Sequence, residues 1–100
     1  MHLVWTREAL NKLSEIEKYI SQDSPDRAIT FVDYLIERGD ALKDHPNIGR
    51  VVPEIGKESI RELIAKNYRI IYRIDRDRIE ILTVFEGHRL LRDDELKLRE

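Results

Sequence analysis

Apolar residues in the first half of the chain recur every three or four positions, the spacing of one face of an α-helix. After an apolar run at residues 2–5 that suits a first strand, this spacing predicts one helix over residues 7–21. A second helix is predicted over residues 25–44, because Ser24 can cap it and Pro25 suits its first position. Two amphipathic helices with a short connection predict an antiparallel αα-hairpin.

The second half of the chain changes to short runs rich in β-branched and aromatic residues. Strands are predicted over residues 59–65, 68–74 and 78–86, with turns at residues 66–67 and 75–77 between them. Three such strands in succession predict an antiparallel meander. The predicted fold class is α+β, in which the N-terminal αα-hairpin packs on a small antiparallel β-sheet.

Alternation along the strands predicts which side chains share a face of this sheet. The row predicted to face the helices contains Tyr68, Ile70, Tyr72, Ile74, Ile79, Ile81, Thr83 and Phe85. Arg69 and Arg73 then point to the open face, and Arg61 is expected beside them. In the alternative interpretation these arginines are solvated and paired with Glu62, Glu80 or Glu86.

Composition limits the classes of protein that this chain can be. One hundred residues, 38% of them charged, predict a single domain over residues 1–100 with a densely charged surface. The absence of cysteine excludes disulfides and thiol catalysis, and no apolar run is long enough for a membrane span. A net charge of −2 argues against unassisted binding of free nucleic acid. We expect a cytoplasmic protein with no cofactor and no metal site.

Several motifs, taken in order along nearly the whole chain, resemble the ParE/RelE superfamily of bacterial toxins. They are VWTREAL at the start, SPDRAITFVDYL, the loop PNIGRVVPE, the strands IREL and NYRIIYRI, and the ending VFEGHRLL. The loop and the GHRLL ending are more similar to the ParE branch than to the RelE branch. The resemblance implies the same α+β fold and a type II toxin–antitoxin module of the kind that stabilises plasmids.

For the ParE branch, the resemblance implies inhibition of DNA gyrase by protein binding rather than by catalysis. It also implies a cognate antitoxin whose C-terminal segment wraps around the toxin. We expect guanidinium groups to bind the antitoxin or target through bidentate hydrogen bonds and two leucines to supply an apolar anchor. The predicted binding residues are Arg61, Arg69, Arg73, Arg89, Leu90 and Leu91.

The RelE branch offers an alternative function, metal-independent cleavage of messenger RNA on the ribosome. Its catalytic residues would be Arg69, Arg89 and His88, since histidine can act as acid or base near neutral pH. The preceding strand lacks the lysine pair of such nucleases, and no tyrosine follows Tyr72. In a third interpretation the domain binds its antitoxin and inhibits nothing.

Overall fold

The computed structural model describes residues 1–87 of the chain. It contains five strands, two α-helices and a short 3₁₀ turn. In chain order these are β1 (His2–Trp5), α1 (Arg7–Ser21), α2 (Pro25–Asp40), the 3₁₀ turn (Ala41–Lys43), β2 (Arg50–Val51), β3 (Ile60–Ala65), β4 (Tyr68–Asp75) and β5 (Arg78–Glu86).

The helical hairpin begins where the sequence predicts. The hydroxyl of Thr6 accepts a hydrogen bond from the backbone N–H of Ala9, and Ser24 caps α2 in the same way. The second helix is shorter than predicted, because regular α-helix ends at Asp40 and the chain tightens into the 3₁₀ turn. The apolar spacing in the sequence therefore continues through the 3₁₀ turn, where the backbone is no longer α-helical.

The five strands form one sheet in the order β1-β5-β4-β3-β2. The predicted meander of β3, β4 and β5 is antiparallel, and β2 adds to it in the same sense. The first strand instead lies parallel to β5, so the sheet is mixed rather than purely antiparallel. The α+β class and the helical hairpin are confirmed.

A β-bulge in β5 changes the predicted rows of side chains. Ile71 pairs with Thr83 while Tyr72 pairs with Ile81, which leaves Leu82 as the extra residue. Alternation is interrupted there, so Val84 rather than Phe85 joins the core beneath the helices. The prediction of one unbroken row from residue 79 to residue 85 is therefore wrong.

The sheet buries apolar side chains on both faces. The main core lies between the sheet and the helical hairpin, and Leu35, Tyr72 and Ile81 are fully buried in it. A smaller core lies on the second face, where the segment after β2 contributes to the packing. It consists of Val52, Ile60, Ile71, Leu82 and Phe85, with Ile55 packed against them.

Trp5 and Gly39 fix how closely α2 approaches the edge of the sheet. The indole of Trp5 packs against the main core, and its Nε1 donates to Oδ1 of Asp40 over 2.9 Å. A Cβ atom at residue 39 would lie 2.8 Å from Cη2 of Trp5 and 2.9 Å from Cδ1 of Ile81. Only glycine permits this approach.

Replacement of Gly39 by alanine tests this contact. In an open helix the change would stabilise the protein, because alanine has the better helix propensity. Here we expect the free energy of unfolding to fall by about 1–3 kcal/mol, because the added methyl group overpacks the core. Urea denaturation measures the change, with Ser14→Ala at an exposed position of α1 as the control. Unchanged or increased stability of Gly39→Ala would contradict this account.

Candidate functional site

The three arginines predicted to share one face are divided between the two faces of the sheet. Residues directly opposite each other on paired strands share a face. Arg61 stands opposite Tyr72, whose side chain lies beneath the helices, whereas Arg73 stands opposite Ile60 of the second core. The prediction that Arg61 lies beside Arg69 and Arg73 is therefore wrong. Alternation along β3 places Arg61 with Leu63, on the covered side.

Arg69 lies on the expected face, but that face is not open at its position. Only 4% of the residue is exposed, because the segment of residues 52–55, here called the strap, packs over the second core. Glu54 on the strap reaches the guanidinium group. The prediction of an accessible Arg69 is therefore wrong. A guanidinium group can be buried in this way because carboxylates of the same chain compensate its charge.

Arg69 is the centre of a buried network of ion pairs that also contains Arg50, Glu54 and Glu62. Its Nε donates to Oε1 of Glu62 over 2.8 Å, and its two terminal nitrogens donate to the two carboxylate oxygens of Glu54 over 2.9 and 3.1 Å. The other oxygen of Glu62 accepts from Nε of Arg50 over 2.6 Å. Glu62 is only 1% exposed, so its charge is held between two arginines.

The network keeps Arg69 charged. Burial alone would lower the pKa of Arg69, but hydrogen bonds to Glu54 and Glu62 outweigh burial and raise this pKa above its ordinary value. The guanidinium carbon Cζ also lies 5.2 Å from the ring centroid of Phe85, in the range of a cation–π contact. Paired and stacked in this way, Arg69 serves first to hold the strap to the sheet.

Arg73 is also paired, at the far end of the same face. Its Nε donates to Oε1 of Glu80 over 3.0 Å, and Arg78 lies 3.5 Å from the other oxygen of that carboxylate. The alternative prediction of pairing with glutamates is thus confirmed for Arg69 with Glu62 and for Arg73 with Glu80. Arg73 remains partly exposed, whereas Arg69 does not.

The loop of residues 46–50, here called the Gly49 loop, is hydrogen-bonded to side chains on the helix-covered face of the sheet. The hydroxyl of Tyr72 accepts from the N–H of Gly49 over 3.0 Å and donates to the carbonyl of Pro46 over 2.8 Å. Arg61 donates to the carbonyl of Gly49 over 3.0 Å. A Cβ atom at residue 49 would lie 2.6 Å from the Tyr72 hydroxyl, so glycine is required there.

The position of Tyr72 alters its acidity. Burial raises the pKa of the Tyr72 hydroxyl, and the hydrogen bond from Gly49 and the charge of Arg61 only partly oppose this effect. Tyr68 behaves similarly, since burial first, and then the charges of Glu86 and Tyr19, raise its pKa. Both phenols are therefore held in the neutral form.

An open groove of about 640 Å³ lies at the end of the molecule where α1 meets α2 and β3 turns into β4. Its walls are aromatic, and the Nζ of Lys66 lies 4.7 Å above the Tyr34 ring and 5.7 Å from the Phe31 ring centroid. The residues that line this aromatic groove are Tyr19, Ile20, Asp26, Arg27, Thr30, Phe31, Tyr34, Lys66, Asn67, Tyr68 and Glu86.

Most of these features are absent from the sequence predictions. Tyr68 is a core residue, as its place in the strand row predicts, whereas no sequence pattern indicates a role for Tyr19, Lys66 or Glu54. The PNIGRVVPE motif did point to the loop and strap, although not to their ion pairs. His88, Arg89, Leu90 and Leu91 lie outside the described residues, so their predicted roles stay predictions.

The part of the chain that the structure describes contains neither a metal-binding cluster nor a membrane-spanning helix. Within residues 1–87, no cluster of three or more histidine, aspartate or glutamate side chains could hold a metal ion. Over the same residues, neither helix is both long enough and apolar enough to cross a membrane.

The sequence from residue 3 to residue 91 matches the family model described as the ParE toxin of the type II toxin–antitoxin system parDE. The chain belongs to the ParE toxin family. A curated relative from Sinorhizobium fredii (strain NBRC 101917 / NGR234), named "Putative toxin Y4kP", is 44% identical over 87 residues, which span 84% of this chain and 85% of the relative. The resemblance to the ParE branch is thereby confirmed.

The fold is shared with solved structures from toxin–antitoxin systems. This ParE-family protein superposes with a TM-score of 0.73 and 26% identity on a chain of the chromosomal ParDE toxin–antitoxin system from P. aeruginosa, over 86% of this chain and 95% of the other. A chain of the RelBE2 toxin–antitoxin complex from Mycobacterium tuberculosis superposes with a TM-score of 0.55 and 19% identity, over 85% and 88% of the two chains. The second likeness shows the shared fold alone.

Removing one charge from the buried network tests its contribution to stability. We expect Glu62→Gln to lower the free energy of unfolding by about 1–3 kcal/mol, because the buried Arg69 loses one of its two carboxylate partners while Glu54 remains. The control is Glu8→Gln, which removes an exposed pair with Lys12 and is expected to cost less than about 0.5 kcal/mol. Equal effects of the two changes in urea denaturation would show that the network stabilises the protein no more than an exposed ion pair does.

The raised pKa values of Tyr68 and Tyr72 predict sensitivity to alkali. An unfolded tyrosine ionises near its ordinary pKa of 10.0, whereas the folded groups hold their protons to higher pH. Their stabilising effect is complete below pH 10.0 and is lost as pH rises from there through the folded pKa values. We expect the urea midpoint of the wild type to fall above pH 10.0, and that of Tyr72→Phe to fall less steeply from a lower starting value. Parallel curves would contradict this.

Proposed function

We propose that this protein is the toxin of a type II toxin–antitoxin pair, silenced by a cognate antitoxin, and that it inhibits DNA gyrase by binding it. The observation that carries the proposal is the match to the ParE family over residues 3–91. The superposition on a ParDE toxin–antitoxin system, with 95% of that chain covered, supports an antitoxin partner. The proposed target works on bacterial DNA, so the proposal places the protein in the cytoplasm.

The aromatic groove supports a disordered antitoxin segment as the partner. Its volume of about 640 Å³ exceeds that of any one side chain, so several apolar side chains of one segment could fill it. Lys66 at its rim is held over Phe31 and Tyr34 and could donate to a carboxylate of that segment. Tyr19 is 69% exposed. A bound partner would remove much of its apolar surface from water, which favours binding.

The arginines predicted to bind antitoxin enter this proposal unequally. Arg69 already has two carboxylate partners within the chain, so an antitoxin carboxylate would have to compete with Glu54. Arg73 is partly exposed and better suited to a direct contact. Binding of the antitoxin by Arg61, Arg69, Arg73, Arg89, Leu90 and Leu91 remains a prediction.

The paired state of Arg69 favours gyrase inhibition over cleavage of messenger RNA. A catalytic cation must face the charge that develops on the reacting phosphate. In this chain the guanidinium group of Arg69 is buried and faces two carboxylates of its own protein. The nuclease hypothesis would require the strap to move away before Arg69 could meet RNA.

Paired activity assays separate the proposed functions. Purified toxin is added to gyrase supercoiling reactions and, separately, to translating ribosomes. We expect loss of supercoiling with accumulation of cleaved DNA, reversed by antitoxin. Messenger RNA cut in the ribosomal A site would instead support the nuclease, and inactivity in both assays would support a domain that only binds its antitoxin.

Binding measurements test the groove. We expect Tyr19→Ser and Lys66→Glu each to weaken antitoxin binding at least tenfold in calorimetric titration, because they remove an apolar contact and reverse the rim charge. Lys43→Glu makes the same charge reversal at the other end of α2 and should bind within about twofold of wild type. If all three variants bound alike, the antitoxin would not use the groove.

A further inference from the structure

The Gly49 loop combines a rigid backbone with an exposed apolar tip. Ile48 is 58% exposed, although the glycine beside it is buried. A mobile loop with an exposed isoleucine would need no explanation, since single exposed apolar residues are common. Here, however, buried groups of the protein hold the backbone on both sides of that isoleucine.

The contacts that hold this loop come from the sheet and leave it little freedom. Tyr72 bridges the carbonyl of Pro46 and the N–H of Gly49, one on each side of Ile48. Arg61 holds the carbonyl of Gly49, and the carbonyl of Glu62 would lie 2.5 Å from any Cβ atom at residue 49. The tip is therefore fixed before any partner arrives, which lowers the entropy that binding would cost.

Arg50 supplies an oriented charge next to this tip. Its Nε is held by the buried carboxylate of Glu62, but 67% of its side chain is exposed. The exposed part of the guanidinium group can still donate to a carboxylate outside the chain. Ile48 and Arg50 thus present an apolar group and a cation on one rigid support.

The Gly49 loop and the aromatic groove are separate surfaces that share no residue. The groove uses residues 26–34 from the first part of the helix, whereas the loop follows its last turn. Tyr68 of the groove and Tyr72, which holds the loop, are four residues apart on β4, roughly 13 Å along the strand. Because their residues differ, the two surfaces can contact different partners.

We propose that the Gly49 loop is the contact that this toxin makes with its folded target protein, and that Ile48 enters an apolar recess there while Arg50 binds a carboxylate. This inference rests on the proposed function and names the surface that carries it out. A groove suits a segment that folds as it binds, whereas a rigid projecting loop suits a partner surface that is already concave. The chain's net charge of −2 favours a carboxylate of a protein over the phosphates of DNA.

Variants of the loop are tested with purified gyrase as the target. We expect Ile48→Ser to raise the toxin concentration for half-inhibition of supercoiling at least tenfold, and Ile48→Leu to stay within about threefold of wild type. Arg50→Lys should also weaken inhibition, because one ammonium group cannot bind Glu62 and an outside carboxylate with the same geometry. Antitoxin affinity should remain within about twofold for every loop variant.

The matched control is Ile29→Ser on α2, since Ile29 is 56% exposed and lies in neither surface. It should inhibit gyrase as wild type does, and circular dichroism melts should show that all variants fold. If wild type failed to inhibit gyrase, the proposed function and this inference would both fall. If wild type inhibited it and Ile48→Ser did so equally, or if Ile48→Ser lost antitoxin affinity, only this inference would be overturned. Tighter binding of wild type than of Arg50→Lys to bare DNA would also overturn it.

Discussion

The carboxylate of Glu62, buried between two arginines, is the interaction on which the rest of the structure depends. A charge taken out of water is tolerated only when partners compensate it, and Arg50 and Arg69 do so from two different elements. The same Arg69 then holds Glu54 of the strap. One buried charge thus ties β2, β3, β4 and the strap together, and places the strap over the second core of the sheet.

This network also determines what the arginines of the sheet can do. A guanidinium group saturated by carboxylates of its own chain stabilises the fold and is poorly placed to act on a phosphate. The exposed surfaces lie elsewhere, in the aromatic groove and at the Gly49 loop. The ParE-family protein therefore exposes an aromatic groove and, separately, the apolar tip of a hydrogen-bonded loop.

Local sequence rules predicted most of the secondary structure because they depend on neighbouring residues alone. The caps at Thr6 and Ser24 and the three strands of the meander lie where hydrogen-bonding side chains and β-branched runs indicate. The parallel pairing of β1 with β5 and the bulge at Leu82 escaped prediction. Both arise from contacts between segments far apart in the chain, about which alternation along one strand carries no information.

The sequence by itself determined the α+β class, the helical hairpin and, through ordered motifs along the chain, the toxin family. Only the tertiary structure decided that Arg61 faces the helices, that Glu54 and Glu62 neutralise Arg69, and that Tyr72 fixes the Gly49 loop. The physical reason is that helices and family motifs are recognised from residues close together in the sequence. The partner of a charged side chain depends instead on which strands pair and in which register. A side chain's availability for binding is therefore a property of the folded chain.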